Sequence, residues 1–141
     1  MPDDDTNAWE ESLIADLRAN GGKPSSGPLA GHPLALLYTT GAKSGERRRS
    51  IVTYSRQGED YVVAGTNGGA DVDPAWVGNV RKEPTVELEV ASEVFAATAT
   101  IAEPGDRERL WSEHVAQLPW FGKYEQQVHR EIPVVTLRRT A

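Results

Sequence analysis

Between Leu34 and Thr66 three segments rich in β-branched and aromatic residues, PLALLYTT, RRSIVTYSR and DYVVAGT, follow one another with no helix-length stretch between them. A parallel pair of strands needs a crossover of a dozen or more residues, so neighbours this close must pair antiparallel. The spacing predicts a meander, with Gln57-Gly58 as the turn between its second and third strands. Further on, TVELEVAS alternates apolar and charged residues with period two, VFAATATIAE follows as its hairpin partner, and IPVVTLRR reads as a last strand.

Helical patterns flank these strands. Trp9, Leu13, Ile14 and Leu17 fall on one stripe, with Asn7 and Glu10 spaced as a capping box and Gly21-Gly22 as the stop. DPAWVGNVRKEP is bracketed by Asp73 as N-cap, Pro74 at the first helical position and Pro84 at the end. Pro104 and Asp106 open a third helix whose inward face is Leu110, Trp111, Val115 and Leu118, and a short fourth lies between Trp120 and Arg130. The expected order is α, β-β-β, α, β-β, α-α, β, with about six strands. A mainly β, α+β fold follows: a small antiparallel barrel with helices packed at its ends, which limits exposed edges. Residues 1–33 form an N-terminal helix and a flexible Gly/Pro linker, and residues 34–141 form the barrel.

A chain of 141 residues is the size of one domain, and its formal net charge of -6 argues against a nucleic-acid surface, which needs a broad basic face. The absence of cysteine excludes disulfides and thiolate metal sites. His32, His114 and His129 are too far apart for a local metal pair, so no metal is expected. No apolar run reaches the roughly 20 residues that cross a bilayer, and the MPDDD start is the opposite of a secretory signal. The expectation is a cytoplasmic protein, peripheral at a membrane if its substrate is a quinone.

Against this acidic background, TTGAKSGERRRS concentrates Lys43, Arg47, Arg48 and Arg49 beside Gly41 and Gly45. Glycines there let the backbone approach an anion while the cations supply charge. A solvated turn whose cations balance nearby carboxylates is the competing reading. The loop is no Walker motif, because Ala42 precedes Lys43-Ser44, and AGTNGGAD is no dinucleotide fingerprint, because Asn67 stands where a glycine belongs. GTNGGADVDPAW ends a strand and opens a helix, so its N–H groups, Thr66 and Asn67 suit the polar edge of a ligand, with Trp76 either core or ring partner. Trp120, Phe121 and Tyr124 read as a helix stripe or an aromatic lid.

Together, LLYTTGAKSGERRRSIVTY, GTNGGADVDPAWVGNVRKEP and HREIPVV resemble the deazaflavin-dependent nitroreductase family over about Leu34 to Leu137. The resemblance implies a split β-barrel that binds coenzyme F420, an 8-hydroxy-5-deazaflavin with an anionic phosphodiester and polyglutamate tail. It places Lys43 and Arg48 on the phosphate, with Ala42 and Ser44 beside them, and Arg47 and Arg49 toward the tail. Arg49, Ser50, Ile51, Val52 and Thr53 match the wall along the coenzyme. Ala64, Gly65, Thr66 and Asn67 match the strand end beside the ring, and Ala75, Trp76, Val77, Gly78 and Asn79 the helix opening over it.

The implied reaction is hydride transfer from reduced F420 to a small electron-poor acceptor: a quinone, enone, unsaturated lactone or nitro-aromatic. Thr66 and Tyr124 are the candidate catalytic hydroxyls, and Phe121 and Tyr124 the candidate substrate contacts. Asn67 replaces a lysine of the nitro-drug-activating members, Thr53 a tyrosine, and Leu118 and Phe121 two of their three helical tyrosines. These departures argue against transferring their substrate range. A non-enzymatic F420 carrier and an FMN-dependent oxidoreductase on the same fold remain alternatives, as do monomer and homodimer.

Overall fold

A computed structural model of the chain describes residues 3–25 and 31–140, with the side chains of residues 3–9 and 68 outside the description. Helix α1 (Asp3–Ala19) precedes strands β1 (Leu34–Thr40), β2 (Arg47–Thr53), β3 (Ser55–Gln57) and β4 (Asp60–Ala64). Helix α2 (Ala75–Lys82) then leads to β5 (Thr85–Val90) and β6 (Glu93–Ile101), followed by α3 (Pro104–Gln117), α4 (Gly122–Gln127) and β7 (Val134–Arg139). All seven strands form one antiparallel sheet in the order β2-β1-β5-β6-β7-β4-β3.

The two strands at opposite edges of this sheet, β2 and β3, are neighbours in sequence with only Tyr54 between them. Consecutive Cα atoms are 3.8 Å apart, so Thr53 and Ser55 lie within about 7.6 Å of each other. The sheet must therefore curl until its edges meet at that end, which makes it a split barrel. Tyr54 N–H donates to the Pro33 carbonyl at 3.1 Å and fixes the bend. The break at Tyr54 is why there are seven strands rather than six: RRSIVTYSR is two strands on two edges. No three-stranded meander forms, because β2 pairs with β1 and β3 with β4. The second hairpin turns at Gly58-Glu59, one residue beyond the expected position, with Gly58 at φ +61°.

Strand β1 is buried on both faces, which explains its nearly unbroken apolar run. Ala35 and Leu37 point into the barrel with Val52, Val63, Leu88 and Val135. Leu34 and Leu36 point outward to Ile14 and Leu17 of α1, each such burial being worth about 1.5–3 kcal/mol. Trp9 lies outside the described side chains. Likewise β4 and β7 send Val63 and Val135 inward but Val62 and Val134 outward, under Leu110, Trp111 and Leu118 of the α3 region.

Helix α1 is also held by polar contacts. Arg18 donates twice to Glu89, at 2.7 and 2.9 Å, and this pairing holds the Glu89 carboxyl below its usual range. Gly21 and Gly22, at φ +66° and +89°, turn the chain away, and Gly22 N–H closes on Leu17 O at 2.9 Å. Two expected caps are absent. Helix α1 runs Asp3–Ala19, so Asn7 lies inside it rather than at its N-cap. Helix α2 is preceded by Pro74 with no side-chain cap, because the Asp73 carboxylate is taken by Arg130 at 2.6 Å.

Candidate functional site

The loop between β1 and β2 is shaped by its own backbone and by α2. Gly41 N–H donates to Glu46 O at 2.7 Å, Gly45 N–H to Gly41 O at 2.9 Å, and Gly45 sits at φ +72°. A Cβ on Gly41 would lie 2.6 Å from Ser44 Oγ, which itself accepts from Glu46 N–H and Arg48. From α2, the buried Asn79 accepts the Ala42 N–H at 2.9 Å and donates to Thr39 Oγ1 at 3.1 Å, while Lys82 Nζ donates to Ala42 O at 2.7 Å.

The cations of this loop divide. Arg47 pairs with Glu87 at 2.7 Å and covers the Tyr38 ring; Arg48 pairs with Glu46 at 3.3 Å; Arg49 reaches Glu11 at 3.0 Å and Glu10 at 3.5 Å. To that extent the arginines balance local carboxylates. Lys43 has no ion-pair partner among the described residues. It lines a cavity of about 570 Å³ with Ala42, Ser44, Arg48, Arg49 and Ser50 on one side and Ala75, Trp76, Gly78 and Asn79 on the other. The Arg48 and Arg49 pairs are worth no more than about 1 kcal/mol each at such exposed sites, so an anion entering the cavity can take them over.

Ser50 and Trp76 also line a second cavity of about 400 Å³, so the two cavities adjoin and are together called the cleft. Its walls are Ile51, Val52 and Thr53 of the free edge strand β2, Ala64 at the end of β4, Thr66, Asn67 and Pro74, and the aromatic group Trp120, Phe121 and Tyr124. An edge strand leaves alternate N–H and C=O groups without a ladder partner, and residues Ser50 to Thr53 of this edge line the cleft. Asn67 adopts φ +49° and donates to Val72 O at 3.1 Å, so its side chain shapes the loop that presents Thr66.

Two expected contacts turn away from the cleft. Val77 is fully buried in the barrel core, and Gly65 packs so tightly that a Cβ there would come within 2.9 Å of both Val77 and Pro133. Their part is to dock α2 against β4. Arg47 is likewise absent from both cavity walls.

Sequence reasoning did not name Pro74 or Arg130 as site residues, and gave Trp120 only within the stripe-or-lid alternative. The Arg130 guanidinium donates to the carbonyls of Gly65, Thr66 and Ala70 and to Asp73, stitching the loop after β4 to the segment before β7. The HREIPVV stretch contained it, but only the folded chain brings those carbonyls to it.

Behind the aromatic wall, Phe121 stands edge-on to Tyr124 at 5.5 Å and to His114 at 4.5 Å. His114 shares a 2.6 Å hydrogen bond with Ser55, and burial pushes its imidazole from 6.5 down to about 4. A larger groove of about 770 Å³, lined by Arg56, Asp60, Tyr61 and Arg138, shares no residue with the cleft. Its Arg138 is committed to Asp60 at 2.9 and 3.0 Å.

Known proteins resemble this chain in sequence and fold. An F420H(2)-dependent quinone reductase of Mycobacterium tuberculosis (strain ATCC 25618 / H37Rv) is 37% identical over 112 residues, which are 76% of this chain and 74% of that protein. The solved structure of an F420-H2 dependent reductase, FDR-A, superposes with a TM-score of 0.68 at 32% identity, covering 75% of this chain and 94% of the other. A structure described as a domain-swapped dimer gives a TM-score of 0.70 at 28% identity over 98% of this chain and 100% of its own. No described helix is long and apolar enough to cross a membrane. A sequence model of the F420H(2)-dependent quinone reductase family matches residues 11–139, and the chain belongs to that family.

Proposed function

We propose that this F420H2-dependent reductase delivers its two electrons to a quinone, with enones, unsaturated lactones and nitro-aromatics as weaker acceptors of the same electronic kind. The observation that carries the reading is the pair of adjoining cavities that runs from Lys43, without an ion-pair partner among the described residues, to the Trp120–Phe121–Tyr124 wall along the edge strand β2.

The residues present fit a coenzyme that is anionic at one end and flat at the other. Lys43, Ser44 and Arg48 would hold the phosphodiester, with Arg49 toward the tail; charge-assisted bonds of this kind are about twice as strong as neutral ones. The edge-strand backbone between Ser50 and Thr53 would meet the polar edge of the ring, and Trp76, packed in the barrel core, lines both cavities where they adjoin. When bound, reduced F420 supplies a hydride from its C5. The chain's own work is to align the acceptor, exclude water and furnish the proton: a quinone that gains one hydride and one proton leaves as the hydroquinone. Thr66 and Tyr124 both line the acceptor end and carry the hydroxyls to orient its oxygen or relay that proton.

Fluorescence titration with oxidised F420, followed by stopped-flow mixing of the reduced form with menadione, tests the reading. Saturable binding and menadione-dependent oxidation are expected. Tight binding with a ring that menadione never oxidises would show a carrier instead, and preference for FMN would show a flavin enzyme.

A further inference from the structure

The residue just before Pro33 and β1 reaches the far wall of the cleft. The His32 ring lies 4.2 Å from the Trp120 ring with 14° between their planes, a parallel stack joining the α1–β1 connection to the 3-10 turn Pro119–Phe121. Trp120 lines the acceptor end but is only half-buried, and its other aromatic neighbour, Phe121, is tilted at 51°. The indole packs against the core beneath α3, and the flat face of His32, lying parallel to it, adds the contact that fixes its plane. His32 is itself held, since Pro33 O accepts the Tyr54 N–H where the two sheet edges meet, and Leu34 N–H donates to Gly22 O at 3.2 Å. Its Nδ1 is shielded from solvent with no hydrogen-bond partner among the described residues, a cost that a plain hydrocarbon ring would avoid. What the ring supplies in this position is a face for Trp120.

Building on the quinone-reductase reading above, we propose that His32 is a positioning residue for the acceptor: it stacks on the Trp120 indole and fixes it as one wall of the lobe. The effect passes through Trp120, so coenzyme binding at Lys43 and Arg48 does not depend on it.

The test uses full-length protein with His32→Ala, His32→Phe, Trp120→Ala and the His32→Ala/Trp120→Ala double variant. The indole N–H resonance of Trp120, assigned by its loss in Trp120→Phe, is followed by NMR with and without menadione. KM for menadione is measured at saturating reduced F420, and F420 affinity separately. His32→Ala is expected to shift the indole resonance and raise KM about five-fold, the size of one aromatic pair, with F420 affinity unchanged. His32→Phe should restore both, and the double variant should be no worse than Trp120→Ala alone. The proposal fails if His32→Ala leaves the indole resonance and KM unchanged, or if F420 affinity falls in step with KM. It also fails if His32→Phe restores the resonance but not KM, because the imidazole would then touch the acceptor itself. Absence of F420 binding or menadione turnover in the unaltered protein would remove the quinone-reductase reading instead, while the indole shift in His32→Ala would still decide whether the stack positions Trp120.

Discussion

Asn79 bridges helix α2 to the basic loop, its side-chain oxygen accepting the Ala42 N–H at 2.9 Å and its nitrogen donating to Thr39. The neighbour of Lys43 is thus fixed by a neutral, buried residue. Asn79→Ala removes no charge, yet it should lower F420 affinity about five- to thirty-fold, because losing a buried partner costs about 1–2 kcal/mol and loosens the loop. Fluorescence titration beside a thermal melt checks this; unchanged affinity would mean that the loop holds its shape unaided.

Lys43 and Arg47 should separate cleanly. Lys43→Ala should weaken F420 binding by about 1–3 kcal/mol and reduce its salt dependence, with the melting temperature unchanged. Arg47, committed to Glu87 and Tyr38 outside both cavity walls, should change affinity less than about three-fold when replaced by Ala. Equal losses in the two variants would show a diffuse field rather than a local contact.

Arg130 holds three carbonyls and one carboxylate around Thr66. Arg130→Met should cost about 2–3 kcal/mol of stability and lower kcat, since the loop that presents Thr66 loses its tie. Urea unfolding and steady-state kinetics report the two effects; a stable variant with full kcat would deny Arg130 any role in shaping the site.

Tyr124→Phe keeps the ring against Phe121 and removes only the hydroxyl. If that hydroxyl serves the acceptor oxygen, kcat for menadione should fall at least about ten-fold with F420 affinity unchanged. An unaltered kcat would transfer the role to Thr66, which Thr66→Val then examines.

His114 makes stability depend on pH. Burial lowers its folded value to about 4 from 6.5, so between those values the unfolded chain binds a proton that the folded chain does not. Stability is therefore full above pH 6.5 and declines as pH falls toward 4, by up to about 1.4 kcal/mol per pH unit. His114→Gln should flatten that part of the profile in urea unfolding at pH 7, 5.5 and 4.5. The same slope in the variant would assign the acid sensitivity to other groups.

The barrel was legible because its cause is local: short connections force antiparallel pairing, and Leu34 to Leu37 advertise a strand buried on both faces. Lys43, Ser44 and Arg48 were legible for the same reason, since glycines and cations share one hairpin loop. The break at Tyr54 was not, because β-branched residues continue through it and only the closing of the sheet on itself demands a bend. Nor was the stack of His32 on Trp120, a contact between distant segments that periodicity cannot register. Asp73 looked like a cap until Arg130, brought in from the far end of the chain, claimed its carboxylate.

Strand β2 is both the floor of the cleft and an unpaired sheet margin, and Ser50 to Thr53 would be a sticky ribbon if a second molecule could align with it. The solvated guanidinium groups of Arg47, Arg48 and Arg49 occupy the approach to that ribbon. Arg48 and Arg49, which also line the proposed coenzyme cleft, therefore guard this margin as well: the same side chains that would hold an anion keep a second copy from adding a strand.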